Sequence, residues 1–203
     1  MSSLPDSSSA LPARINSTGS TLNIVDQADL KLNGKALSAL PLANGTSLTS
    51  AAVVSWLNSN ISTHGLALVA KAENVIDISR QDIDLNASSL SINETDISLP
   101  SPMSSLVDLA NAINQSTSDT NVEAVIGVNN SLRLQNTAGN EAASIEFDSP
   151  ASVFKSLTGE VRAAIKIEAT RTGGDSSQKE VALTLSSQGT SSDLAALGFS
   201  SSL

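Results

Sequence analysis

The spacing of apolar residues changes twice between Leu90 and Phe147. Leu90 and Ile92, then Ile97 and Leu99, recur at spacing two, as a strand with one solvated face requires. Leu106, Leu109, Ala110 and Ile113 follow at i, i+3, i+4 and i+7, which is one face of a helix. After a polar stretch from Gln115 to Thr120 the spacing returns to two, through Val122, Ala124, Ile126 and Val128 and then Leu132 and Leu134. Asn129-Asn130 between those runs is a turn signal. The predicted order is two strands, a helix and two strands.

The same order is predicted upstream. Thr21 to Val25 reads as a short strand, and Leu30 to Leu37 as strand, Asn33-Gly34 turn, strand. Ser47 is a candidate N-cap for a helix over Leu48 to Ile61, with Val53, Val54, Leu57 and Ile61 on its buried side. Leu66, Leu68 and Ala70 form a strand, Glu73-Asn74 a turn, and Ile76 and Ile78 another strand. Setting Leu66 on Val122 places Leu57 on Ile113, Asn58 on Asn114, and Ile76 and Ile78 on Leu132 and Leu134. Ahead of the helix, Leu30, Leu32, Asn33 and Leu37 fall on Leu90, Ile92, Asn93 and Ile97 once the Pro41–Gly45 loop absorbs a small length difference. The pattern is that of an internal duplication.

Beyond Pro150 the chain is less regular. A helical turn is expected over Ala151 to Leu157, closed by Gly159. Val161 to Thr170 is expected as one strand carrying Ala163, Ile165 and Ile167 on one face. Arg171 to Ser177 is a loop, Glu180 to Leu185 a returning strand, and Ser191 to Phe199 a capped helical turn with Gly198 as its C-cap and an apolar anchor after it. The fold class is therefore α+β: two related units, each a small mainly antiparallel sheet with one packed helix (ββαββ), with C-terminal strands completing a sheet. The expected divisions are a flexible lead at 1–20, a first unit at 21–80, a second at 81–149, and C-terminal strands and short helices at 150–203.

The central stretch resembles the hook-IN motif of bacterial flagellar axial proteins, found in flagellins, hook–filament junction proteins and the filament cap protein. The likeness lies in Ser105-Leu106, Leu109 and Ala112-Ile113-Asn114, in Asn121 to Ala124, and in Leu132 to Gly139. The motif's entry strand, ending I-N-G, reads here Ile92-Asn93-Glu94, without the turn glycine. The Leu197-Gly198-Phe199 ending is similar to the close of flagellar outer domains. The resemblance implies a structural, surface-exposed domain whose partners are neighbouring flagellar subunits, outside the cell on the flagellum. It also implies export without a cleaved signal, and abundant exposed Ser and Thr that could carry O-linked sugars.

Composition narrows the alternatives. Of 203 residues, 40% are hydrophobic but only 2% aromatic, so the core must be aliphatic. The formal net charge of −9 provides no basic stripe for nucleic acid and nothing to attract an anionic membrane. The chain has no Cys, which removes disulfides, thiolate nucleophiles and thiolate metal sites. No apolar run approaches the roughly 20 residues of a membrane-spanning helix. Long heptad runs, through which flagellar axial proteins polymerise, are missing from both ends, so an excised outer region, monomeric or weakly associating, is expected.

Candidate chemistry is sparse. The single histidine, His64, sits beside Gly65 in an expected loop, with no G-x-S-x-G elbow and no second imidazole for a metal. Trp56 on the first helix is expected to pack. Asp82, Asp84 and Asn86 occupy positions 1, 3 and 5 of an EF-hand-like pattern and are the calcium candidates. Ala87 stands where that pattern needs Gly, and Asn93 where it needs a bidentate Glu. The same residues read as a strand, with Ile83 and Leu85 inward and the carboxylates outward. No phosphate-cradling loop occurs, and N-x-S/T triplets such as those at Asn16, Asn60 and Asn114 are what a Ser- and Asn-rich chain produces by chance. No catalytic residue and no cofactor is expected. The function expected is structural: a domain of a hook-associated protein or flagellin. The alternative is a repeat or binding module of a bacterial surface adhesin, possibly calcium-binding, to which Asp82 and Asp84 would contribute.

Overall fold

The computed structural model of the chain describes residues 21–43, 46–147, 153–155, 157–170, 181–187, 189 and 197. In chain order it holds β1 (Thr21–Val25), β2 (Leu30–Leu32), β3 (Lys35–Ala36), β4 (Leu40–Ala43), α1 (Ser50–Thr63), β5 (Leu68–Glu73) and β6 (Val75–Ile78). There follow β7 (Leu90–Ile92), β8 (Thr95–Ile97), α2 (Leu106–Gln115), α3 (Thr117–Thr120), β9 (Val122–Ile126), β10 (Leu132–Asn136) and β11 (Ile145–Phe147). The last strands are β12 (Gly159–Val161), β13 (Ala164–Ala169) and β14 (Leu183–Leu185). The fold is α+β, with small antiparallel sheets and few helices. The expected lead at 1–20, the loop at 171–177 and the closing helical turn at 191–199, apart from Leu197, lie outside the described residues.

The chain forms two compact units, and one interrupts the other. The first comprises Met1–Ala72 and Ala164–Leu203; the second is Glu73–Ala163. In the first, β2 lies between β3 and β14, β5 pairs with β13, and β1 pairs with β4. Its aliphatic core gathers Leu30, Leu32, Leu37, Val53, Leu57, Ile61, Leu68 and Ile165, with Trp56 at its margin. In the second, one sheet runs β12-β11-β7-β8 and another β6-β10-β9. Leu109 and Ile113 of α2 join Ile92, Val122, Leu132, Leu134 and Ile145 in its core, all fully or almost fully buried. The only aromatic contact among the described residues, Phe147 edge-on to Phe154 at 5.7 Å between ring centroids, belongs to that core.

Several elements depart from the periodic reading. β6 was expected to return on β5; instead it is the antiparallel partner of β10, with Ile78 opposite Leu132 and Ile76 opposite Leu134. Residues that the repeat pattern makes look equivalent are thus neighbours in one sheet. The strand expected over Val161 to Thr170 is two strands, β12 on β11 and β13 on β5, because the chain passes from one unit to the other between Ala163 and Ala164. The C-terminal strands therefore complete sheets in both units. Residues Arg80–Asp82 form a 3-10 turn rather than part of a strand, and Ile83 makes an isolated bridge with Phe154. That bridge occupies Phe154, between bends at Val153 and Lys155, where a helical turn was expected; the rest of the expected turn is described only at Leu157. The cap of α1 is Thr49, not Ser47, its hydroxyl accepting from the Ala52 N–H at 3.2 Å.

The duplication survives these changes with a different chain route. Asn93 donates its backbone N–H to Glu146 O at 2.9 Å and accepts the Glu146 N–H at 2.8 Å. Asn33 does the same to Ala182, both bonds at 2.8 Å. Thr137 N–H donates to Asn121 O, and Thr170 N–H to Ala67 O, each at the far end of the pair β10–β9 or β13–β5. These matched bonds make β13 the counterpart of β10, and β14 the counterpart of β11.

Candidate functional site

The residues that carry the hook-IN likeness converge where α2 meets β9 and the β7–β8 turn. Ser105 opens α2 with a reciprocal capping box: its hydroxyl accepts the Asp108 N–H at 3.3 Å, and Asp108 Oδ2 accepts the N–H of Ser105 at 3.0 Å and of Ser104 at 2.8 Å. The Ser104 backbone bond, with smaller help from Ser105, holds the Asp108 carboxyl below its ordinary value. Leu106, Leu109, Ala110, Ala112 and Ile113 then bury one face of the helix.

At the end of α2, Asn114 turns its amide onto β9. Its Oδ1 accepts the Ala124 N–H at 2.7 Å and its Nδ2 donates to Ala124 O at 2.9 Å. One side chain thus satisfies both backbone groups of a strand residue, as a neighbouring strand would. Asn58 of α1 repeats this on Ala70 of β5, at 2.8 and 2.9 Å. This corrects the repeat register: Leu68, not Leu66, is the counterpart of Val122. Asn93 adds a third bond, Nδ2 to Thr120 O at 2.7 Å, tying the β7–β8 turn to α3. The sequence held the signal for these roles, since Asn58/Asn114 and Asn33/Asn93 are polar positions shared by both copies. Periodicity alone assigned them no partner.

The first unit has a second amide site without a counterpart. Asn60, buried, accepts the Ser38 N–H at 2.8 Å and donates to Ser38 Oγ and Trp56 O at 3.0 and 2.9 Å. Trp56 packs, as expected, and its Nε1 reaches Ser38 O and Oγ, each at 3.2 Å. His64 is half-buried rather than free in solvent: Nε2 lies 2.8 Å from Ala36 O. A carbonyl only accepts, so that nitrogen carries the hydrogen.

The residues singled out for calcium are placed in turns. Asp82 ends the 3-10 turn, and its carbonyl accepts the Lys155 N–H at 2.9 Å. Asp84 Oδ1 accepts from the Asn86 N–H at 2.9 Å and from Asn86 Nδ2 at 3.2 Å, a local Asx turn that engages both residues with each other. Among the described residues no three His, Cys, Asp or Glu side chains come together in a way that could hold a metal. The ion pairs Lys71–Glu168, Arg133–Asp77 and Arg162–Glu160 are all substantially exposed. Arg133 grips Asp77 with two nitrogens, at 2.9 and 3.0 Å, and the bond to that carboxylate raises its pKa.

These groups define a structural module: its best-organised polar side chains serve its own backbone, as caps, turn ties and strand partners. Residues 76–138 match the flagellin hook IN motif, a span from β6 through β10 that contains Asn93, Ser105 and Asn114. The match supports a structural protein of the flagellum. No curated protein matches the chain. No helix among the described residues is long and apolar enough to cross a membrane.

Proposed function

We propose that this chain is a surface-exposed, non-catalytic domain of an extracellular flagellar hook-associated protein, a junction or cap component, or of flagellin. The observation that carries the reading is the hook IN match over 76–138, in which Ser105 caps α2 and Asn114 holds β9. The charge of −9 and the aliphatic cores suit a module that projects from an assembly into water and offers shape to neighbouring subunits.

Immunogold electron microscopy on intact cells, with antibody raised against the purified chain, tests this. Labelling at the hook–filament boundary or the filament tip is expected, and labelling along the whole filament would indicate flagellin. Labelling of the cell body away from flagella would sink the proposal and favour the adhesin reading.

A further inference from the structure

The outer edge of β9 is closed by side chains. Within a strand the N–H and C=O of one residue point to the same side. Ala124 spends both on Asn114, so they face away from β10. Two residues earlier on that side, the Val122 N–H donates to Thr120 Oγ1 at 3.2 Å, and Val122 O accepts from the Thr117 hydroxyl at 2.9 Å. Four backbone groups in a row that could receive another strand are therefore occupied, all from the end of α2 and from α3. In the first unit the edge of β5 opposite β13 carries the same device, with Asn58 on both groups of Ala70. An unprotected edge is a template for pairing with another chain. Asn is suited to closing one, because its side-chain amide reproduces the donor–acceptor pair of a peptide unit.

We infer that Asn58 and Asn114 act as edge seals which bar strand addition by a second copy of this chain at β5 and β9. The seals occupy backbone groups that would otherwise template pairing with another chain, and this function goes beyond the flagellar reading. It predicts that contacts between copies avoid these two edges.

Two measurements on the full chain test it. Hydrogen exchange on the unaltered protein should show the Ala70 and Ala124 amides protected to within about tenfold of the inward-facing Val125 amide; exchange at the rate of unstructured amides would overturn the inference. Sedimentation velocity and thioflavin T fluorescence should then show Asn58→Leu/Asn114→Leu self-associating at concentrations where the unaltered chain does not. Leu109→Ala, which loosens the core without opening an edge, is the control. Equal association of that control, or a folded double variant that associates no more than the parent, would overturn it. Should the double variant not fold, the single substitutions Asn58→Leu and Asn114→Leu give the same comparison, and the exchange result stands independently.

Discussion

Asn93 and Glu94 both hold left-handed backbone, at φ 51° and 61°, to form the two-residue turn between β7 and β8. Such hairpin turns need positive φ at both central positions, and the favoured pair is Asn-Gly. The first unit meets that demand at Asn33 and Gly34, with φ 47° and 78°. Glu94 does not: its Cβ meets the carbonyl crowding that makes this region cost about 1–2 kcal/mol for an L-residue. It is also exposed, so its side chain adds no buried contact in return. Glu94→Gly should therefore stabilise the protein, by up to about 1 kcal/mol after the extra chain entropy of glycine is set against the relief. Gly34→Glu should destabilise by a similar amount through backbone strain alone, because nothing lies within 4 Å of a Cβ placed there. Urea titrations of both variants check the pair, and a loss of stability in Glu94→Gly would show that the turn is not strained. The missing glycine was legible in the sequence. That the turn forms anyway, at a conformational cost, was not.

Elements were legible in proportion to how far local pattern decides them. α2 buries the i, i+3, i+4, i+7 stripe that announces it, and its capping box is written in Ser105 and Asp108. The alternation through Val122, Ala124, Ile126 and Val128 misleads at its far end. Val122 and Ala124 are buried under α2, but Ile126 and Val128 are 39% and 83% exposed, outside the hydrophobic cluster, where the β9–β10 hairpin runs past its cover. β6 was recognised as a strand, but its partner could not be, since two strands with like patterns can be copies or neighbours. The capping box makes a prediction at this scale. Ser105→Ala should cost about 1 kcal/mol, the usual worth of an N-cap hydroxyl. Asp108 adds a pH dependence whose sign follows from its lowered pKa. The group binds protons less readily folded than unfolded, so its contribution is intact above the ordinary carboxylate range and is lost as pH falls through the lower folded value. Asp108→Asn should flatten the stability profile in that acidic window and leave the profile near neutrality unchanged in shape. Denaturation midpoints across a pH series would show it; an unaltered acid limb in the variant would refute the assignment.

At the scale of the whole molecule, the decisive feature is that the second unit sits inside the first in sequence. A linear reading gives two cassettes in tandem followed by strands that complete one of their sheets, because hydrophobic period reports which face is buried and not which strand is paired. The hydrogen bonds give another arrangement: β2, β3, α1 and β5 wait for β13 and β14, which arrive only after Glu73–Ala163 has been made. The first unit's core shows the dependence, since Ile165 from β13 is buried with Leu57 and Leu68. Three fragments separate the two arrangements. Residues 73–163 alone should fold cooperatively, having their sheets, their helix and their aliphatic core within one continuous stretch. Residues 21–72 alone should stay unfolded, because β5 and β2 would each lack a sheet partner supplied from beyond the insertion. Joining 21–72 to 164–203 through a short Gly/Ser linker should restore a cooperative transition, since closing a loop costs little once both ends belong to one sheet. Far-UV circular dichroism and thermal melts of the three chains decide it. A cooperative melt from residues 21–72 by themselves would mean that the early strands and α1 suffice, and that the nesting is a path of the chain without energetic consequence.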